Sequence, residues 1–246
     1  MTRLLGAEIF KIRTTRTFYG IIGVGLGLVL VIVLLASILA NPHPGDDFMR
    51  NLMGFSGIAS AMAAIFGILA ITTEFRHGTI TPTLLVTPWR SRLLTAKLEA
   101  SLICGLLLGL LTSVAIAGIV AGFASLRGFE DDATGSLVTH QIIGITIAGA
   151  LYAAFGLGLG ALVRNQVGAI IGLLLFLLLV EPLSTAIPSV GDKIGKYGIG
   201  GTTGALTETS TDNVLHQVPG GLLLAAYAAI LCVAGYLMLR RRDVTA

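Results

Sequence analysis

Thr72-Thr73-Glu74-Phe75-Arg76-His77-Gly78-Thr79-Ile80-Thr81-Pro82-Thr83-Leu84-Leu85-Val86-Thr87-Pro88-Trp89-Arg90-Ser91-Arg92-Leu93-Leu94-Thr95-Ala96-Lys97 is the stretch on which the reading of this chain turns. It separates two long apolar runs and is itself too polar for lipid. Glu74 and Arg76 open it, Gly78 breaks it, Pro82 and Pro88 punctuate it, and Arg90, Arg92 and Lys97 close it. Thr79, Thr81 and Thr83 offer caps ahead of the short apolar turn Leu84-Leu85-Val86. The pattern predicts a short helix lying on the cytoplasmic face, within a loop spanning residues 74–97.

Working outward, the rest of the chain is mostly apolar. Of its 246 residues 54% are hydrophobic and 12% charged, against about 25% charged in soluble domains, and the mean hydropathy is +0.90. Runs long enough to cross a membrane recur along it, which predicts an all-α integral membrane protein in one transmembrane domain. The six spans fall at residues 18–40, 52–73, 98–126, 137–163, 165–187 and 214–239. The first is too long for the apolar core of a secretory signal, which runs about 7 to 15 residues. Residues 1–17 carry Arg3, Glu8, Lys11, Arg13 and Arg16 among Leu4, Leu5, Ile9 and Ile12 at near-helical spacing, the pattern of an amphipathic interfacial helix. The fifth run meets Glu181-Pro182, where a charge and a missing backbone donor argue against simple continuation. Residues 188–213, with Pro188 and a Gly-rich patch from Gly195 to Gly204, form an extracytoplasmic segment.

Charge placement sets the orientation. With both termini cytoplasmic, the inner segments hold 12 of the 16 Lys and Arg and only 4 of the 13 Asp and Glu, as the positive-inside rule requires. This places the chain in the cell's inner (plasma) membrane, multi-pass. The net charge of +3 reflects that asymmetry and makes no case for nucleic acid.

The span interiors hold no Asp, Glu, Lys or Arg apart from Glu181, which a rise of about 1.5 Å per residue from Arg164 places near the outer boundary. Intramembrane ionisable residues mark proton and ion pathways, so a proton-coupled carrier is disfavoured. No Gly-x-Ser-x-Gly or His-Glu-x-x-His motif is present. Gly191 to Tyr197 has the wrong spacing for a phosphate loop, so nothing here hydrolyses nucleotide. His43, His140 and His216 read as outer-surface histidines, with no metal site. Cys104 and Cys232 read as reduced packers within spans. Gly105 and Gly109 fit the small-xxx-small pattern of close helix approach, within one bundle more readily than at a dimer seam.

Glu74-Phe75-Arg76-His77-Gly78-Thr79-Ile80, then Thr83-Leu84-Leu85, Pro88, Arg90 and Lys97, resembles the first intracellular loop of bacterial type 2 ABC transporter permeases. Glu8-x-x-Lys11-x-Arg13 resembles the connecting helix before the first span of that family. Val180-Glu181-Pro182-Leu183 resembles its break after the fifth helix, and the Arg240-Arg241-Arg242 close its usual ending. The resemblance implies a coupling helix between spans 2 and 3 that docks on a separate ABC ATPase subunit. In that reading Leu84, Leu85 and Trp89 fill the ATPase groove, Arg90 and Arg92 contact its rim, and Glu74 with Arg76 orders the hinge. It also implies short extracytoplasmic helices between spans 5 and 6, two ATPase copies carrying ATP and Mg, and a second permease copy or a sister permease. The chain itself then has no cofactor and is not an enzyme. An apolar path with no buried charge, set in membrane lipid, suits export of a hydrophobic or amphiphilic substrate: a drug, peptide or lipid. The competing readings are a non-transport membrane scaffold or anchoring subunit, and a secondary carrier.

Overall fold

The computed structural model describes residues 2–39, 47–80, 82, 89–127, 135–188, 190–210 and 215–241, which are mostly helical with no strand among them. In chain order the helices are α1 (Thr2–Thr14), α2 (Arg16–Leu39), α3 (Phe48–Met53), α4 (Ser56–Arg76), α5 (Arg90–Arg127), α6 (Gly135–Val163) and α7 (Gln166–Leu175). A π-helical turn, Phe176–Val180, leads into α8 (Glu181–Thr185), followed by α9 (Gly191–Tyr197), α10 (Ile199–Thr207) and α11 (Gln217–Arg241). Six helical stretches are long and apolar enough to cross a membrane: Phe18–Leu39, Phe48–Arg76, Arg90–Arg127, Gly135–Val163, Gln166–Thr185 and Gln217–Arg240.

The bundle is built on α6, which packs against α4, α5, α11 and α10. Lipid tails are as apolar as leucine, so helices in a membrane gain mainly from close backbone contact. The glycines of α6 provide it. A methyl group on Gly156 would overlap the Ala64 carbonyl of α4, and one on Gly149 the Gly105 carbonyl of α5. On the remaining side, a methyl on Gly158 would lie 2.6 Å from the Cys232 nitrogen of α11. Gly105 and Gly109 of α5 meet Gly149 and Ile145 in return, so this small-residue pair packs inside one bundle. By contrast the fifth span is the most open, with 17% of its most apolar window buried against 61% for α6.

Three boundaries differ from the sequence reading. The loop expected at residues 74–97 is shorter, because α4 runs on through Arg76 and α5 begins at Arg90. Glu74 and Lys97 therefore sit on helices. α4 ends where Gly78, at φ +66°, takes the left-handed conformation that glycine adopts without a Cβ penalty. The Thr79 N–H then donates to the Glu74 carbonyl at 3.0 Å and the Gly78 N–H to Phe75 at 3.3 Å, a Schellman closure. The second span has a break at Gly54-Phe55 between α3 and α4.

At Glu181-Pro182 the chain does not stop: it stays helical to Thr185. Pro182 cannot donate to a carbonyl one turn back, and the wider π turn just before it takes up the mismatch. We predict that Gly156→Ala, which must push α4 away from α6, lowers stability by about 1–3 kcal/mol. Gly118→Ala, whose added methyl meets nothing within 4 Å, should leave the thermal transition in detergent within about 0.5 kcal/mol of the parent.

Candidate functional site

The charged ends of several helices meet at one end of the bundle. At their centre lies Lys97, whose side chain is 2% exposed. Its ammonium donates to Glu74 Oε1 at 2.7 Å, to Glu8 Oε2 at 3.0 Å and to the Ala70 carbonyl at 3.1 Å, so all three of its protons are used. Lys11 closes the ring from the outside, donating to Glu8 Oε1 at 2.9 Å and Glu74 Oε1 at 3.0 Å. Two carboxylates and two ammoniums thus form a neutral tetrad that ties α1 to α4 and α5.

Local sequence explains only part of this. Glu8 and Lys11 are one helical turn apart on the inner face of α1, while α5 brings Lys97 across from 89 residues away. The position of Lys97 follows from the length of α5. Its 38 residues extend about 57 Å against a hydrocarbon core of about 30 Å, so the first two turns project beyond the apolar layer.

Burial alone pushes the Glu8 carboxyl up, but the Lys97 charge and the hydrogen bonds from Lys11 and Lys97 outweigh it and hold the group below its ordinary 4.5. For Lys11, burial pushes the ammonium down, while the bonds to Glu8 and Glu74 hold it above its ordinary 10.5. The Glu8 contribution is therefore present above 4.5 and lost as pH falls through its lowered value. That of Lys11 is present below 10.5 and lost as pH rises through its raised value.

A second set of contacts gathers round the end of α11. Arg90 donates to the carbonyls of Leu239 at 2.5 Å and Arg240 at 3.3 Å, and Arg164 to that of Met238 at 2.8 Å. Cations on the last carbonyls of a helix satisfy orphan acceptors and oppose the helix dipole. Arg164 also lies over the Phe75 ring at 5.4 Å. It takes a left-handed φ of 58° in the turn between α6 and α7, where Asn165 caps α7 by accepting from the Gly168 N–H at 2.8 Å.

The residues singled out from the sequence divide three ways. Glu8, Lys11 and Glu74 come together in the tetrad. Arg76 does not pair with Glu74 there: its guanidinium points to Gln166 at 3.4 Å. Arg90 contacts α11, and Trp89, 62% exposed, carries the Arg92 guanidinium over its ring at 5.0 Å. Arg13 is exposed, with its backbone carbonyl accepting from the Tyr19 hydroxyl at 3.0 Å. Thr83, Leu84, Leu85 and Pro88 lie outside the described residues.

Glu181 and Pro182 lie apart from this end. The Glu181 carboxylate accepts from the Gly200 N–H at 2.6 Å, capping α10 at its first turn. Gly198 and Gly200 both border that carboxylate, where a side chain would crowd it. Lys97 is the residue whose role sequence reasoning missed, for its partners are all distant in the chain. The available signal was its place at the very edge of an apolar run, where a long side chain can fold back toward carboxylates.

These features define a six-span helical bundle with a buried ionic cluster at one end. No protein-family model matches the chain, and no curated protein matches its sequence.

Lys97→Met leaves two buried carboxylates without their shared cation and should cost about 3–5 kcal/mol of stability. Lys11→Met, on a half-exposed side chain, should cost at most about 1 kcal/mol. Thermal unfolding in detergent measures both. With spin labels at the exposed positions Phe10 and Trp89, the α1 distance distribution should stay constant between pH 4.5 and 10.5, and broaden as pH falls through the lowered Glu8 value or rises through the raised Lys11 value.

Proposed function

We propose that this chain is the permease subunit of an ATP-driven ABC exporter, moving an amphiphilic substrate outward by alternating access. A separate pair of ATPase subunits supplies the energy, and a second permease copy completes the path. The observation that carries this reading is the tetrad, because it joins α1 to the two helices that flank one loop. α1 is clamped to the last turn of α4 and the second turn of α5, immediately either side of the Gly78–Trp89 connection. A push on that connection or on α1 is thereby carried into two spans at once, which a lever between an ATPase and a transport path requires.

Trp89, exposed at the start of α5 and rigidified by Arg92, gives that lever an apolar contact of the kind that anchors interfaces. Leu84 and Leu85 supply the remainder in the docked state. A scaffold subunit would share the six spans without needing a clamped loop, and no observation on this chain favours it specifically.

Purification of the tagged chain from its native membrane in mild detergent, with identification of co-purifying subunits and an ATPase assay, tests the proposal. An ABC ATPase should accompany the chain and be lost, or be uncoupled from transport, in Leu85→Ala and Trp89→Ala variants that still fold. A chain that purifies without a nucleotide-binding partner in several detergents contradicts it, as does full transport by both variants.

A further inference from the structure

The corner between α1 and α2 carries a positively charged patch. Arg13 and Arg16 stand either side of Thr15, both exposed, and neither guanidinium has a hydrogen bond or ion pair among the described residues. The backbone there is tied down on each side. The Thr15 hydroxyl donates to the Lys11 carbonyl at 2.5 Å, the Phe18 N–H to the Thr15 carbonyl at 3.1 Å, and the Tyr19 hydroxyl to the Arg13 carbonyl at 3.0 Å. Glu8, on the same helix as Arg13, is engaged by Lys11 and Lys97 in the neutral tetrad, as is Glu74. The two arginines therefore keep their full charge.

Depth and neighbours narrow what can meet that charge. The apolar span begins at Phe18, so Arg16 sits about 3 Å outside it along the helix and Tyr19 just within it. Those are the levels of lipid headgroups and of the interfacial aromatic belt. Tyr19 is 59% exposed, and Phe10, one turn before Arg13 on α1, is 68% exposed. An exposed helix face that pairs aromatic with basic side chains is the kind that lies against anionic lipid.

We propose that this corner binds an anionic phospholipid of the surrounding leaflet, its phosphate held by Arg13 and Arg16. Charge selects this occupant. A second copy of the chain docking here about a two-fold axis would set the same positive patch against itself. A soluble subunit has no access to Tyr19 at its depth in the span. A zwitterionic head brings a positive group along with its phosphate, whereas an anionic head brings a net negative charge. Basic residues at a membrane surface favour anionic lipid by about fivefold each, so the pair favours it by about thirtyfold. Below Arg16 on the same face of α2, an added Cβ at Gly20 or Gly23 would meet nothing within 4 Å, which leaves room for the acyl chain beside the helix. α1 is then held by the tetrad from within and by lipid from outside. The site involves no ATPase and stands or falls separately from the exporter reading.

Native mass spectrometry of the full chain in an uncharged detergent tests this, with equal amounts of phosphatidylglycerol and phosphatidylcholine carrying identical acyl chains. The parent should retain one phosphatidylglycerol with about thirtyfold preference. Arg13→Gln and Arg16→Gln should each lower that preference about fivefold, and the double variant should bring it to about unity. Arg13→Lys with Arg16→Lys should keep it, because the sign of the charge selects the head. Arg92→Gln removes the same charge from the start of α5 and should leave the preference within about twofold of the parent. All these side chains are exposed, so the variants should fold as the parent does.

Equal retention of the two lipids by the parent overturns the proposal, as does a double glutamine variant that keeps its preference. An equal loss in Arg92→Gln shows an attraction spread over the whole charged end rather than a site at this corner, and overturns it too.

Discussion

Close backbone approach along α6 is the constraint on which the other helices depend. In water a helix gains by hiding its apolar face; in lipid that gain vanishes, and what remains is dispersion at short range. Gly149 and Gly156, seven residues apart on one face of α6, admit α5 and α4, and Gly158 on the opposite face admits α11, each within contact of the α6 backbone. α4, α5 and α11 are thereby fixed relative to one another, although each also presents apolar surface outward. α2, which packs on α4 and α5, and the α7–α8 stretch, which reaches α4 and α6 through α7, add to this frame from outside.

Once α4 and α5 are held against α6, their charged ends must be accommodated where they fall. Glu74 and Lys97 face each other at the end of the bundle, and α1 folds over them with Glu8 and Lys11. Desolvating four charges is costly, and the mutual attraction offsets it only with good geometry. Here Lys97 has three acceptors, but Glu74 keeps one oxygen without a partner among the described residues. The cluster contributes orientation more than net stability, since it specifies one placement of α1 out of the many an amphipathic helix could adopt. A similar economy holds at Glu181, where a buried carboxylate is satisfied by a backbone N–H at the start of α10.

Much of this was legible in the chain. Apolar runs of the right length declare six spans, Gly78 stands in the sequence as a break within the loop after the second, and Glu8 with Lys11 marks a polar stripe on an otherwise half-apolar helix. Helix ends were less visible. Polarity at Glu74 and Lys97 reads as the end of a helix, yet charge ends only the lipid-compatible part, and hydrogen bonding continues until Gly78 or Trp89 interrupts it. Pro182 misled in the opposite sense, since a π turn lets a helix pass a residue that cannot donate. The Gly-rich patch from Gly195 to Gly204 was visible as composition, but its purpose, letting α9 and α10 close on Glu181 and on each other, was not.

The sequence by itself determined class, span number and the polarity of each segment, because burial in lipid is a property of consecutive residues and needs no knowledge of neighbours. Only the tertiary structure decided which charges are paired, since Glu8, Glu74 and Lys97 lie 23 to 89 positions apart and nothing in the local pattern connects them. It also decided that a cavity lined largely by apolar side chains lies beside that cluster. Cavities and pairings depend on how helices cross, and crossing is set by contacts between segments, which no single segment encodes.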